Sequence, residues 1–88
     1  MEVEFRKSFL KDLKKCKQTE ILKRVKNIIE EIETYENFKK VKNLKPLQGS
    51  SNFYRIRVGD FRIGIKFYDD SIIFIRMLHR KDIYRFFP

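Results

Sequence analysis

The sequence predicts an α+β domain: a small antiparallel sheet with two N-terminal helices packed on one face, in the order β-α-α-β-β-β, followed by a short C-terminal segment. Three stretches carry that prediction. YRIRVGDFRIGIKF (54–67) alternates apolar and polar residues on either side of a Gly-Asp pair, as a hairpin does. The run from Ile21 to Tyr35 has a helical apolar period, and SIIFIRML (71–78) is apolar on both parities. With 88 residues there is material for one core, so residues 1–88 are expected to form a single domain.

Met1 to Phe5 alternates, Val3 and Phe5 being apolar, and predicts a short opening strand. Ser8 is placed to cap a first helix carrying Phe9, Leu10 and Leu13, with Lys11, Asp12, Lys14 and Lys15 on its charged side. After a break near Cys16 to Thr19, the second helix sets Ile21, Leu22, Val25, Ile28, Ile29, Ile32 and Tyr35 in one stripe. Its outer positions Lys23, Arg24, Lys26, Glu30, Glu31 and Glu33 read as solvated charge. From Glu36 to Asn52 polarity is mixed. Pro46 and Gly49 argue against regular structure there and predict a loop anchored by Leu44 and Leu47.

In the hairpin, Gly59 suits the first central position of a II′ turn. That register places Val58 opposite Phe61, Ile56 opposite Ile63 and Arg57 opposite Arg62. Asp69-Asp70 makes the next turn, and the strand after it is expected to be covered on both faces. The closing HRKDIYRFFP is too short for an independent helix and is expected to dock through Ile83, Phe86 and Phe87.

Composition excludes several classes of function. No apolar run approaches the roughly 18 residues of a membrane helix, and the N-terminus lacks a signal-like stretch, so a cytoplasmic protein is expected. One cysteine, Cys16, cannot staple a single chain. One histidine, without a Cys/His or carboxylate cluster, argues against a metal site, and no Gly-rich phosphate loop points to a small-molecule cofactor. The net charge of +9 instead calls for an anionic partner.

The basic residues are unevenly placed. Of 13 lysines, 11 precede Phe53, whereas 6 of the 8 arginines follow it. Lysine suits solvated faces, while arginine presents a planar fork that grips phosphate. With the apolar hairpin set under the helices, Arg55, Arg57, Arg62 and Lys66 share the opposite face, and the last strand is expected to deliver His79, Arg80 and Tyr84 beside it. The prediction is a concave basic face. Like charges directly opposite on a sheet are destabilising, so an anion-binding role would explain the Arg57/Arg62 pair.

The hairpin YRIRVGDFRIGI, the approach LKPLQGSSNFYRIRVGDFRI and the closing HRKDIYR, after a strand-helix-helix start, resemble the RelE/ParE superfamily of type II toxins. The likeness spans nearly the whole chain. It implies a cytosolic toxin silenced by a cognate antitoxin protein. RelE-like members imply cleavage of messenger RNA, usually on the ribosome; ParE-like members imply poisoning of DNA gyrase. Carried over by position, Arg55 and Arg57 match basic residues of the first hairpin strand, Arg62 the arginine of the second, Arg80 the basic residue after the last strand, and Tyr84 a C-terminal tyrosine. His79 precedes the arginine as in the HRK variant. Some relatives carry lysines on the first strand, whereas arginine at 55 and 57 stays protonated and cannot act as a base.

Metal-independent RNA cleavage through the 2′-hydroxyl requires a proton acceptor, stabilisation of charge on phosphorus and a proton donor to the 5′ oxygen. Arg55, Arg57 and Arg62 suit charge stabilisation. For proton transfer the candidates are His79, Tyr84, Lys66 and Lys81, imidazole being the best matched to neutral pH. Lys66, Lys81 and Lys45 are candidate RNA contacts, with solvated lysine as the bland alternative for each. Arg76, alternating with Phe74 and Leu78, reads as half of a structural ion pair, and Asp82 as a holder of Arg80 or Arg85. The competing functions are a gyrase poison without nuclease activity and a binding module for RNA or an acidic partner.

Overall fold

The computed structural model describes residues 1–47, 49 and 51–88. The elements are β1 (Glu2–Phe5), α1 (Lys7–Lys15), α2 (Thr19–Thr34), a 3-10 turn (Phe38–Lys40), β2 (Leu44–Pro46), β3 (Phe53–Val58), β4 (Phe61–Tyr68), β5 (Ser71–His79) and α3 (Ile83–Phe86). They form the expected α+β arrangement, with the sheet ordered β1-β5-β4-β3-β2.

Two features of the sheet differ from the sequence reading. It is mixed, because β1 runs parallel to β5 while the other pairs are antiparallel. The β3-β4-β5 meander walks back across the sheet after the helical crossover and brings its last strand beside β1 in the same direction. Within the expected loop, Leu44, Lys45 and Pro46 pair with Ile56, Arg55 and Tyr54 as edge strand β2. Proline breaks a central strand, but at an edge its missing N–H can face solvent. Gln48 and Ser50, in the same expected loop, lie outside the described residues.

The main core lies between helices and sheet. From α2 it takes Ile21, Val25 and Ile32, which are buried as the helical stripe requires, and from the strands Ile56, Val58, Ile63, Ile65, Ile72, Phe74 and Met77. Helix α1 contributes Phe9, but its inward face differs from the expected one: Leu10 is exposed and Asp12 is buried. Phe9, Asp12 and Leu13 are one helical turn apart, which puts Leu10 off that face. Ser8 caps nothing, because α1 begins before it; its hydroxyl donates to the Ile75 carbonyl on β5.

The hairpin register is as read. Arg57 stands opposite Arg62 and Val58 opposite Phe61, around Gly59 at φ +59°. A Cβ on Gly59 would lie 3.2 Å from atoms of Ile21 and Arg24, so α2 also packs closely on the turn. At the next turn both Asp69 (φ 53°) and Asp70 (φ 59°) are left-handed, the type I′ geometry that glycine or asparagine adopts more easily.

Strand β5 holds an irregularity that shapes everything after it. Ile65 pairs with Phe74 but Gly64 pairs with Arg76, so Ile75 is an extra residue in a bulge. The bulge shifts the side-chain alternation by one position. Phe74 and Met77 both enter the main core, whereas Ile75 and Leu78 reach the other face. This is why SIIFIRML looked apolar on both parities. At the bulge Arg76 Nε and Nη2 donate to Asp12 Oδ2 (2.8 Å) and Oδ1 (3.2 Å), and Met77 N donates to Asp12 Oδ2 (2.9 Å). The ion pair expected for Arg76 is therefore present, and its hydrogen bonds to Asp12 raise the guanidinium pKa above the ordinary arginine value.

The face opposite the helices is not fully open. Leu47, Ile83 and Phe87 form a second buried cluster there, with Phe53, Ile75 and Leu78 against it. Phe87 lies on Gly64, where an added Cβ would stand 2.7 Å from the ring. Phe86 stays exposed, in contrast to the docking role expected for it. Among the described residues, no helix is long and apolar enough to cross a membrane.

Candidate nucleic-acid interface

The remaining half of that face carries the basic residues. Arg55 and Arg57 alternate along β3, Arg62 lies opposite Arg57 on β4, and Lys45 on β2 lies opposite Arg55. Strand pleating turns all four the same way. Lys45, Arg55 and Arg57, with Asn43 and Leu44, line a hollow of about 220 Å³.

Arg62 is the best anchored member. Its Nη1 donates to the carbonyls of Gly59 and Phe61, both at 2.9 Å, which ties the guanidinium to the turn. Burial pushes its pKa below the ordinary arginine value, and the charges of Arg55, Arg57 and Arg80 push the same way. Arg62 thus feels the positive charge of the other three, a repulsion that a bound anion would relieve.

Tyr84 reaches this patch from α3. Arg55 Nε donates to its hydroxyl oxygen at 2.8 Å, although the two residues are 29 apart in sequence. The buried Ile83 beside it docks α3 and so holds the tyrosine over the strand. Tyr84 itself is 64% exposed, open to a ligand. Arg80 follows β5; its backbone N–H donates to the Asp60 carbonyl at 2.7 Å, and its Nε lies 3.9 Å from the Asp60 carboxylate. Asp60 in the hairpin turn, rather than Asp82, is therefore the acid nearest Arg80.

His79 does not join the arginines. It pairs with Phe61 across the strands, and the two rings meet edge to face at 5.8 Å. Phe61 borders the main core, so the imidazole lies on the helix side of the sheet, while Leu78 takes the position opposite Arg62. Its Nδ1 accepts a hydrogen bond from Lys81 N at 3.2 Å. The expectation that the last strand delivers His79 beside the arginine face is thus corrected, and the bulge is the reason. Without the extra residue, the alternation would put 79 on the arginine side.

Among the lysines, Lys66 stands on the basic side but is shared by two rings, its Nζ 5.4 Å from the Phe53 centroid and 5.3 Å from that of Tyr68. Lys81 and Lys45 are exposed. Among the described residues, no three His, Cys, Asp or Glu side chains converge in a way that could hold a metal ion. Sequence reading missed Asp12 and the Gly64–Phe87 contact. A glycine inside a strand pattern was the available signal for the second, since it marks a close approach.

Comparison with known proteins bears on what this patch belongs to. Residues 3–84 match the family model described as the ParE toxin of the type II toxin-antitoxin system, parDE. The chain belongs to the ParE toxin family. Within it, the chain is 49% identical to Toxin RelE3 of Methanocaldococcus jannaschii over 89 residues, covering 100% of both proteins. It is 47% identical to a chain in the crystal structure of the RelB-RelE antitoxin-toxin complex from Methanococcus jannaschii, with a TM-score of 0.84 over 97% of this chain and 99% of that one. A chain of the RelBE2 toxin-antitoxin complex of Mycobacterium tuberculosis, 23% identical, shares the fold with a TM-score of 0.70, covering 90% of this chain and 96% of that one. The fold is therefore shared with both solved structures, and the arginine patch sits on its hairpin and the turn after β5, with Tyr84 reaching it from the C-terminal helix.

Proposed function

We propose that this chain is the toxin of a type II toxin-antitoxin pair and cuts messenger RNA, on the ribosome and without a metal ion, in the cytoplasm. The observation that carries this reading is the convergence of Arg55, Arg57, Arg62 and Arg80 with the Tyr84 hydroxyl on one exposed face. Its RelE relatives support the same reading.

In the reaction the 2′-oxygen attacks the adjacent phosphorus, the P–O2′ bond forms and the P–O5′ bond breaks. The products are a 2′,3′-cyclic phosphate and a 5′-hydroxyl. Arg57 and Arg62 flank the phosphate and stabilise its growing charge with fixed donors. Tyr84 gives its hydroxyl proton to the departing 5′ oxygen, and the resulting phenolate, held by the Arg55 guanidinium that already donates to this oxygen, takes the proton of the 2′-hydroxyl, so the tyrosine ends neutral. His79, on the reverse side, takes no part in proton transfer. Lys45, Lys66 and Lys81 contact the flanking RNA backbone. A cognate antitoxin, as in the RelB-RelE complexes, silences the toxin by binding it.

Inducing the chain in cells and mapping messenger RNA ends within minutes tests this reading. New ends inside reading frames are expected, with none for Arg62→Ala or Tyr84→Phe and unchanged cutting for His79→Gln. The match to a ParE family model keeps a gyrase-directed reading in view. Growth arrest with intact messages, together with inhibited supercoiling by the purified protein, would replace the nuclease reading with that one.

A further inference from the structure

A second hollow opens next to the arginine patch, between α2 and the β2 edge, with a volume of about 220 Å³. It shares Asn43 and Arg57 with the hollow on the patch itself, so the two are neighbours at the sheet edge. Nothing in the cleavage chemistry uses it. Its lining combines an apolar wall, including the buried Ile32 and the half-buried ring of Tyr35, with one acid, Glu31, amid Arg24, Lys42 and Arg57. Among the described residues, Glu31 has no cation within 4 Å, and its Oε2 accepts only from the Tyr35 hydroxyl at 3.3 Å. Partial burial and the Glu31 carboxylate raise the Tyr35 pKa, which keeps the phenol a donor to that acid.

We infer that this hollow is a base-recognition subsite for single-stranded RNA, in which the Glu31 carboxylate reads the Watson–Crick edge of a guanine lying next to the phosphate held by Arg57. The inference rests on the proposed RNA-cutting role and adds a substrate preference to it. A carboxylate is a poor lining for a phosphate channel, yet it is the acceptor that guanine's N1–H and N2–H donors require. Adenine and cytosine each set an acceptor nitrogen beside their single amino group, which a carboxylate repels, and uracil has no amino group. Single-stranded RNA exposes that edge, and an aromatic ring beside it offers a face for stacking. Arg24 and Lys42 then flank the ribose-phosphate on either side of the base.

Binding to short RNA tests this directly. Hexamers of 2′-O-methyl uridine with one central guanosine, one central inosine or uridine throughout cannot be cut, so fluorescence anisotropy with the full chain reads recognition apart from catalysis. Inosine lacks the 2-amino donor. The wild-type chain is expected to bind the guanosine hexamer about tenfold more tightly than the inosine one, the scale of a good bidentate base contact. In Glu31→Gln that ratio should fall to about one, and in Tyr35→Phe to an intermediate value, with circular dichroism confirming the fold. Equal binding of guanosine and inosine by the wild type, a ratio that survives Glu31→Gln, or no binding to any hexamer would overturn the subsite. Absence of new messenger RNA ends in cells would instead overturn the nuclease reading and leave the binding ratio to decide this one.

Discussion

Replacing Asp12 with alanine removes the carboxylate that clamps the β5 bulge. That residue is only 7% exposed and accepts three hydrogen bonds, two from Arg76 and one from Met77 N. Its loss leaves a buried backbone N–H without a partner, which costs about 1–3 kcal/mol. It also leaves a guanidinium whose side chain is 27% exposed, so water recovers part of that second penalty. Breaking a fully buried pair costs about 3–5 kcal/mol, and the partial exposure here brings the expected total to about 2–4 kcal/mol. A folded chain of 88 residues has roughly 4–13 kcal/mol of stability in all, so the variant should lose a substantial share of it. Urea unfolding at 25 °C reads the loss as a lower midpoint with an unchanged slope. Amide exchange at Met77 should quicken more than exchange at Ile63, its partner on β4. Replacing both partners, as Asp12→Leu with Arg76→Met, should recover part of the loss, because an apolar pair leaves no charge unpaired. A loss below about 1 kcal/mol for Asp12→Ala would refute the view that this pair holds the bulge.

Other substitutions test separate parts of the structure. Arg57→Thr removes the like-charge pair with Arg62 and should stabilise the free protein by about 0.2–1 kcal/mol in thermal melts while abolishing RNA cleavage; destabilisation would show that the pair is not repulsive. Gly64→Ala drives a methyl group into the Phe87 ring and should cost about 1–3 kcal/mol, but far less in a Phe87→Ala background, a coupling that a double-mutant cycle in urea measures. Asp70→Gly relieves a left-handed backbone at φ 59° and should add about 0.5–1 kcal/mol by calorimetry; a lower melting temperature would count against strain at that turn.

Much of the site was legible because hairpin chemistry is local. Gly59 dictates the turn, the turn dictates the register, and strand alternation then puts Arg55, Arg57 and Arg62 on one side. The stripe of α2 was legible for the same reason, since a period of 3.6 residues needs no partner to be recognised. His79 was misplaced because its side is set by a residue inserted four positions upstream, at Ile75. That bulge is held by Asp12, a contact across 64 and 65 residues to Arg76 and Met77. Periodicity within one strand cannot reveal such a clamp.

By itself, the sequence determined the α+β class, the helical stripe, the hairpin register, the cationic strand face and the resemblance to the toxin family. All of these follow from short-range spacing and residue type. Tertiary structure decided which charges meet a partner. It buried Asp12 under the bulge, brought Tyr84 to Arg55, turned His79 away and laid Phe87 on Gly64. Each of these depends on how distant segments fill a shared volume and satisfy buried polar groups, and close packing of the whole chain fixes both at once.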